Sequence, residues 1–435
     1  MKMNRAALGM LAGVMTFGMT ACGGGEVAQP AATTGKNENV AKKENITLRI
    51  SWWGEQARHD KTMKVLELYK QKNPHITFEA EFASYDAYFQ RLTAQAAGNN
   101  LPDITFLGVF MSQYASKDLL YDMNEFVKNN TIETADISKD ILESGSVKNK
   151  LYGISVGTNA WSVIYDPDLF KKAGISEPKL GWTWNDVNEA AAKLKAVTDY
   201  GIDEFSEKQM FEIYLRQNGQ HLFNAENNAL GYKDDKLMTD YLDMRLKWVE
   251  KAQAPTPEIT KQNSKNEDKL IVHGKAGMSF AASNIIVALE NAAKRPLALA
   301  PLPGPNAEKG MYLKPSQFLS ISKNSKYKEE AAKFISFFSN DVEANKILAG
   351  DRGVPISSKV REGIKGSVNE GTKKTFDYIG QITGHTSAWY SEFPDSYQEI
   401  LNLIGDINDK VLYKQLTPAL GAKEFRTKAE QILKR

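Results

Sequence analysis

The chain has 435 residues, 42% of them hydrophobic and 25% charged, which supports more than one globular core and excludes a disordered polymer. Its formal net charge is +2, and residues 1–21 carry Lys2, Arg5 and no acid, leaving 53 basic and 53 acidic residues in the remainder. A balanced body has no cationic surplus to neutralise phosphates, so nucleic acid is excluded as the main partner, and the single cysteine, Cys22, excludes an intrachain disulfide.

In chain order, Lys2 and Arg5 precede a 15-residue, mostly apolar run from Ala6 to Thr20. That run falls short of the roughly 20 residues that span a bilayer and has the length of a secretory h-region. Met19-Thr-Ala-Cys22 closes it with small residues directly before the cysteine. This resembles the lipobox of bacterial lipoproteins, with Met19 in place of the usual leucine. The resemblance implies a signal peptide over residues 1–21 and a diacylglycerol on the Cys22 thiol. Each buried CH₂ of such an anchor contributes roughly 0.8 kcal/mol. Residues 22–45, with Gly23-Gly-Gly25 followed by Ala, Thr, Asn, Lys and Glu, bury too little to order themselves and read as a lipidated flexible tether.

The folded body starts near Ile46. Alternation over Ile46–Ser51 leads into Trp52-Trp53-Gly54 as a first strand, and Asp60–Lys72 has helical spacing until Asn73-Pro74 stops it. Ile76–Phe82 alternates as a second strand, Tyr85–Ala97 is a helix, and Asp103–Leu107 a third strand. This β-α-β-α-β order predicts an α/β fold with mainly parallel sheets flanked by helices. Short strands follow at Leu151–Val156 and Trp161–Tyr165, then a helix at Asp166–Lys172, and Thr183 is the expected N-cap of the next. Residues 204–251 read as largely helical, and Ala252–Lys269 as a Pro- and Asn-bearing loop. Ala276–Phe280 is a strand, Asn284–Lys294 a helix, Phe318–Ile321 a strand and Lys328–Leu348 one amphipathic helix; the last 60 residues read as helical.

Several stretches together resemble the extracellular solute-binding proteins of ABC sugar importers, the family of maltose-binding protein. They include Thr47-Leu-Arg-Ile-Ser-Trp-Trp-Gly54, Leu101-Pro-Asp-Ile104, Gly157-Thr-Asn159, Thr183-Trp-Asn-Asp186, Gly274-Lys-Ala-Gly-Met278 and Gly350-Asp-Arg-Gly-Val-Pro355. Narrower likenesses, Trp52–Asp60, Pro255-Thr-Pro257 and Leu313-Lys-Pro-Ser316, are to Gram-positive lipoproteins that bind rhamnogalacturonan (pectin) fragments. The resemblance implies a hinged, two-lobed, type II periplasmic-binding-protein fold. One lobe comprises 46–156 and 313–352, the other 157–312 and 353–435. It also implies an oligosaccharide ligand, no cofactor or metal, membrane attachment through the lipid, and delivery to permease subunits of an ABC importer. The expected state is a monomer on the outer face of a cell membrane, of the Gram-positive kind.

A sugar offers apolar ring faces to aromatic side chains and rim hydroxyls to carboxylates, amides and guanidinium groups. Trp52 and Trp53 end the first strand, where the carboxyl edge of an open sheet borders the crevice; alternation turns one inward and one towards the core, with Trp53 the preferred contact. Glu55, on the same loop, is a hydroxyl acceptor or a solvated acid. Arg58 is a bidentate partner for a uronate carboxylate or the partner of an internal acid. Tyr85 and Tyr88 open the second helix, and Phe110 follows the third strand, where the maltose-type pattern has a tryptophan and an acid. Asn159 and Trp161 lie at the first crossing. Ser283 and Asn284 stand where relatives carry a tryptophan. Trp389 and Tyr390 interrupt a polar loop, in a region that stacks a ring on the ligand in maltose-type relatives. The five histidines show no zinc-like spacing. The rival readings are a secreted carbohydrate-active enzyme, which needs two carboxylates flanking the scissile bond, and a binding protein for a non-sugar solute.

Overall fold

The strands are β1 (Ile46–Trp53), β2 (Ile76–Ala83), β3 (Ile104–Leu107), β4 (Ser146–Val147), β5 (Lys150–Leu151), β6 (Ile154–Ser155), β7 (Thr158–Tyr165), β8 (Tyr200–Ile202), β9 (Ala276–Ala282), β10 (Ala298–Ala300), β11 (Leu313–Pro315) and β12 (Phe318–Ile321). They come from a computed structural model that describes residues 44–108, 110–390 and 392–435; the leader, Cys22 and the tether through Lys43 lie outside the described residues. Among the described residues one sheet has the order β2-β1-β3-β12-β6, a second β10-β7-β9-β8 with β11 also on β7, and β4 and β5 form a two-stranded sheet.

In β1 the period-two pattern puts Leu48, Ile50 and Trp52 entirely out of solvent. The helix Gln56–Lys72 buries His59, Thr62, Val65, Leu66 and Tyr69, one stripe at three- and four-residue spacing. It starts four residues before the expected Asp60, whereas Tyr85–Ala97 is helical as expected. These two helices return the chain so that β1 pairs parallel with both β2 and β3. Strand β12 arrives from the other sheet, in the opposite sense, and pairs antiparallel with β3 and β6. In the second sheet only β8 and β9 are parallel, while β7 runs antiparallel to β9, β10 and β11. The parallel character is thus concentrated in β1–β3 and β8–β9.

Local chemistry explains the helix ends. Thr183 caps Trp184–Lys195 through a reciprocal box with Asp186. Asp166 caps Pro167–Lys172 by accepting from the amides of Asp168 (3.0 Å) and Leu169 (3.1 Å). Three expectations need correction, the first being Ala252–Lys269, which holds the short helix Pro257–Gln262 where a loop was expected, because Pro257 opens a helical turn at its first position. The segment Lys328–Leu348 is two helices, Lys328–Asn340 and Val342–Leu348, because Asp341 adopts extended dihedrals and its carboxylate caps the amide of Ala344 at 2.8 Å. Residues 204–251 hold Glu207–Gln217 and Lys236–Glu250, separated by a reversal that Asn224 ties by accepting from the amides of Asn228 (3.0 Å) and Ala229 (3.1 Å).

Between the sheets three backbone segments are locked side by side. Thr158 and Val354 exchange both backbone hydrogen bonds, at 2.8 and 2.9 Å. The Ser316 amide (2.9 Å) and its hydroxyl (3.0 Å) both donate to the Gly157 carbonyl, and the same hydroxyl reaches the Arg352 carbonyl. A Cβ on Gly157 would stand 2.3 Å from the Arg352 oxygen, so only glycine lets these strands approach.

Candidate ligand-binding site

Connections β6–β7 and β11–β12 join the sheets through Gly157 and Ser316. The pairings Phe318↔Leu107 and Phe318↔Ser155 therefore put the carboxyl end of β3 at the junction. The pairings Leu313↔Ala160 and Trp161↔Ala282 put the carboxyl end of β9 there as well. These strand ends border the junction between the sheets.

On the first sheet this edge carries rings. Trp53 packs edge-on against Tyr85 with centroids 5.8 Å apart, and 5.1 Å from Phe89. Its ring edge lies 3.9 Å from the position a Gly108 Cβ would take, at the end of β3. Tyr85 and Phe110 are among the most exposed large apolar residues, at 53% and 44%. The neighbouring Trp52 is fully buried, stacked on Phe82 and donating its Nε1 to His59 Nδ1 at 3.1 Å. Tyr88 is also in the core, its hydroxyl donating 2.6 Å to the Phe106 carbonyl, and burial pushes its phenol well above the ordinary range. Of the two tyrosines only Tyr85 is exposed, and both tryptophans are buried: Trp53, the expected crevice ring, is only 9% exposed and packs among Tyr85, Tyr88 and Phe89, because those rings close over it.

Other candidates are placed as follows. Arg58, a candidate for a uronate carboxylate, is engaged: Nε meets Asp351 Oδ2 at 2.7 Å and Nη2 the Asp351 carbonyl at 3.1 Å. Glu55 is exposed at the N-terminal boundary of Gln56–Lys72, without a side-chain capping bond. Asn159 is half-buried on β7, with a buried side-chain oxygen that has no partner among the described residues. Trp161 donates its Nε1 to the Tyr312 hydroxyl at 3.2 Å, and its carbonyl accepts from Tyr378 at 2.6 Å. Ser283 is completely buried and continues the β7–β9 pairing, its amide donating to the Ala160 carbonyl at 2.8 Å, so it is a strand latch; Asn284 beside it is exposed.

Trp389 and Tyr390 line a pocket of about 390 Å³, together with Glu212, Arg216, His221 and Phe393. The helix Glu207–Gln217 presents Glu212 and Arg216 one turn apart on its buried face. The Arg216 guanidinium is sandwiched between the rings of Tyr312 (5.0 Å) and Tyr390 (5.1 Å). Its Nη2 donates to Ser387 Oγ (2.6 Å) and the Ala388 carbonyl (2.7 Å), fastening the loop that carries Trp389. The Tyr390 hydroxyl lies 2.6 Å from His221 Nδ1. Burial and the nearby Arg216 charge both lower the affinity of His221 for a proton. Burial pushes the Glu212 carboxyl up, against the opposing pull of Arg216 and Lys314. Thr386, on the same loop, donates 2.6 Å to Asp140 of the first-sheet side, so the pocket borders the junction.

Sequence reasoning missed Glu212, Arg216 and His221. Glu and Arg four apart on a helix read as a solvated ion pair, and only burial (7% and 4% exposed) reveals otherwise. Among the described residues no group of three or more His, Cys, Asp or Glu could hold a metal ion.

Comparison with known proteins adds context. The family model for bacterial extracellular solute-binding proteins matches residues 55–344. A binding protein of Brucella abortus is 25% identical over 393 residues, covering 86% of this chain and 89% of the relative. An extracellular solute-binding protein family 1 structure from Alicyclobacillus acidocaldarius superposes with a TM-score of 0.84 at 29% identity, covering 91% of this chain and all of that one. A periplasmic oligogalacturonide-binding protein from Yersinia enterocolitica does so with a TM-score of 0.76 at 25% identity, covering 90% and 99%.

Proposed function

The chain belongs to the bacterial extracellular solute-binding protein family, and from that premise we propose that it holds an oligosaccharide between its two lobes and hands it, unaltered, to the permease subunits of an ABC importer. The observation that carries the sugar reading is the pocket at the junction, where the rings of Trp389 and Tyr390 stand beside the buried carboxyl of Glu212. Flat apolar walls with a sparse set of polar groups match a sugar's alternation of ring faces and hydroxyls. On the first sheet, the exposed rings of Tyr85 and Phe110 offer a second apolar wall.

The lobes divide at the three clamped segments: 46–156 with 313–352, and 157–312 with 353–435. The backbone bonds among Gly157, Ser316, Arg352 and Val354 support this division, since they let the sheets turn about a short common axis. Ligand that touches both walls favours the closed form, and closure shifts with differential affinity. A pectic fragment is the first candidate, because the Yersinia relative is an oligogalacturonide-binding protein. Acylation at Cys22 would hold the monomer on the outer face of the membrane; intact mass of the purified N-terminal peptide tests it, and an unmodified thiol would refute it.

The function is tested by thermal shift and solution scattering with plant oligosaccharides. A ligand at 100 times its dissociation constant adds about 2.7 kcal/mol to stability. The expected result is a raised Tm with a smaller radius of gyration for at least one saccharide. No change in either with pectic, xylan, chitin and maltose oligomers would refute the reading.

A further inference from the structure

A second cavity, of about 540 Å³, opens at the other end of the helix Glu207–Gln217 and shares no lining residue with the pocket of Trp389. Glu207 and Lys208 line it, whereas Arg216 lines the first, and a rise of about 1.5 Å per residue sets them about 13 Å apart along the helix. One wall is Pro255 and Pro257, from a stretch that the junction leaves unused. On the facing helix Lys236–Glu250, Arg245 lines the same cavity and is only 9% exposed. Its guanidinium lies over the Phe205 ring at 4.4 Å, and its Nε donates to Asn408 Oδ1 at 3.5 Å. Among the described residues neither Nη1 nor Nη2 of Arg245 has a hydrogen-bond or ion-pair partner. Burial lowers its hold on a proton, against the opposing pull of Tyr241, Glu207 and Asp409. A buried guanidinium with unbonded nitrogens is costly, so the contents of the cavity have to satisfy it.

The other charges decide what those contents are. Asp409 is paired with Lys261 at 2.6 Å, Glu204 with Lys269 at 3.0 Å, and Asp203 accepts from the Ile271 amide at 3.0 Å. Lys208 donates to the neutral carboxamide of Asn402 at 3.2 Å, and among the described residues no hydrogen bond or ion pair reaches the carboxylates of Glu207 and Asp406. Arg245 and Lys208 are therefore left over on one side, Glu207 and Asp406 on the other, and the lining is balanced. An added anion or cation would upset that balance, whereas a neutral group that both accepts and donates would complete it. A hydroxyl does both at one oxygen. We propose that this cavity is a second binding site, outside the junction, for a neutral polyol of the size of one hexose unit, with Arg245 donating to its hydroxyls and Glu207 accepting from them. The volume is in the range of small-molecule sites, and the site stands or falls independently of the junction reading.

The test is arginine side-chain NMR of the full chain. The Nε–H resonance that Arg245→Lys removes is followed during titration with methyl galactoside, sodium acetate, sodium phosphate and N-acetylglycine amide. Methyl galactoside should shift it saturably with a midpoint on the order of millimolar, the range for about a dozen heavy atoms at ordinary ligand efficiency. The two salts and the amide should need at least tenfold more. Glu207→Ala, at a half-exposed position, should raise the sugar midpoint by about tenfold, and Trp389→Phe should leave it within twofold. A stronger response to acetate or phosphate would make this an anion site, and to the amide a peptide site; either overturns the proposal. So does a shift that Trp389→Phe abolishes and Glu207→Ala keeps, since the sugar would then sit at the junction and the shared helix would relay the signal. No shift with any probe overturns it as well, while the Tm and scattering assay still decides the junction reading by itself. If Arg245→Lys does not fold, the resonance is assigned through its nuclear Overhauser contact with the Phe205 ring and Glu207→Ala carries the test.

Discussion

Replacing Gly157 by alanine tests whether the three clamped segments hold the two halves in register. The added methyl would lie 2.3 Å from the Arg352 carbonyl oxygen, 3.0 Å from its carbon and 3.1 Å from the Gly353 carbon, all backbone atoms. No flexible side chain can yield, so the segments must part. Parting them strains the bonds from Ser316 to Gly157 (2.9 and 3.0 Å) and between Thr158 and Val354 (2.8 and 2.9 Å). Overpacking a tight site costs about 1–3 kcal/mol, and each weakened neutral hydrogen bond adds about 1 kcal/mol. A loss of about 3–5 kcal/mol follows if two of the four bonds weaken, at the large end of single-substitution effects. Gly174→Ala is the control. Its φ of +63° carries the left-handed penalty, but nothing lies within 4 Å of the new methyl, so its cost is about 1 kcal/mol. Urea unfolding followed by tryptophan fluorescence gives both values from the shift in midpoint at constant slope. If Gly157→Ala proved no more destabilising than Gly174→Ala, the close approach would not be what binds the segments, and the axis drawn through them would have to be moved.

Arg58→Ala should cost about 1 kcal/mol through loss of its partly buried contact with Asp351, and should leave sugar affinity within twofold by calorimetry; a tenfold loss would restore it as a ligand contact. Trp52→Ala should destabilise the protein by about 3–5 kcal/mol in urea titrations, because the ring is fully buried. Tyr85→Ala should stay within about 1 kcal/mol in the same titrations, because the ring is half exposed, and weaken oligosaccharide binding at least threefold; unchanged affinity would remove Tyr85 as a ligand contact. Arg216→Met should loosen the Trp389 loop, seen as a larger loss of oligosaccharide affinity than Glu212→Gln causes and as faster acrylamide quenching; unchanged quenching would show that the loop stands without the guanidinium. Burial raises the Asp203 carboxyl to about 6, against the stabilising amide of Ile271 at 3.0 Å. The native state then binds more protons than the unfolded chain between about pH 4 and 6, so this group's contribution to stability is full below pH 4 and falls by about 2–3 kcal/mol as pH rises through 6. Asp203→Asn should abolish that part of the pH dependence in urea titrations from pH 4 to 7, and an unchanged profile would exclude Asp203 as its source.

Legibility differed between fold and site for physical reasons. Strand β1 and the helix Tyr85–Ala97 were readable because period-two and helical burial patterns are local consequences of a single packed face. The break at Asp341 was not, since residues 328–348 keep an apolar periodicity through it, and only the cap on Ala344 shows where one helix stops and another begins. The direction of β12 was likewise hidden. A four-residue buried strand carries no sense of polarity until the chain's route between sheets is known.

At the site, residue types were legible and their commitments were not. Arg58 and Arg216 are the same side chain in a sequence, yet one is tied to a carboxylate 293 positions away and the other is clasped by two tyrosines from separate segments. Trp52 and Trp53 alternate at a strand end, yet both are buried: Phe82 and His59 close over Trp52, while Tyr85, Tyr88 and Phe89 close over Trp53, contacts that alternation alone does not contain. Glu212 is the sharper case. An acid on an amphipathic helix is ordinarily solvated, and nothing in the spacing of 207–217 distinguishes it from Glu207. What sets it apart is burial, which raises its carboxyl against the opposing pull of Arg216 and Lys314. Specificity in such a pocket arises from what the surrounding chain leaves unbonded, a property of the whole fold that no local window of sequence contains.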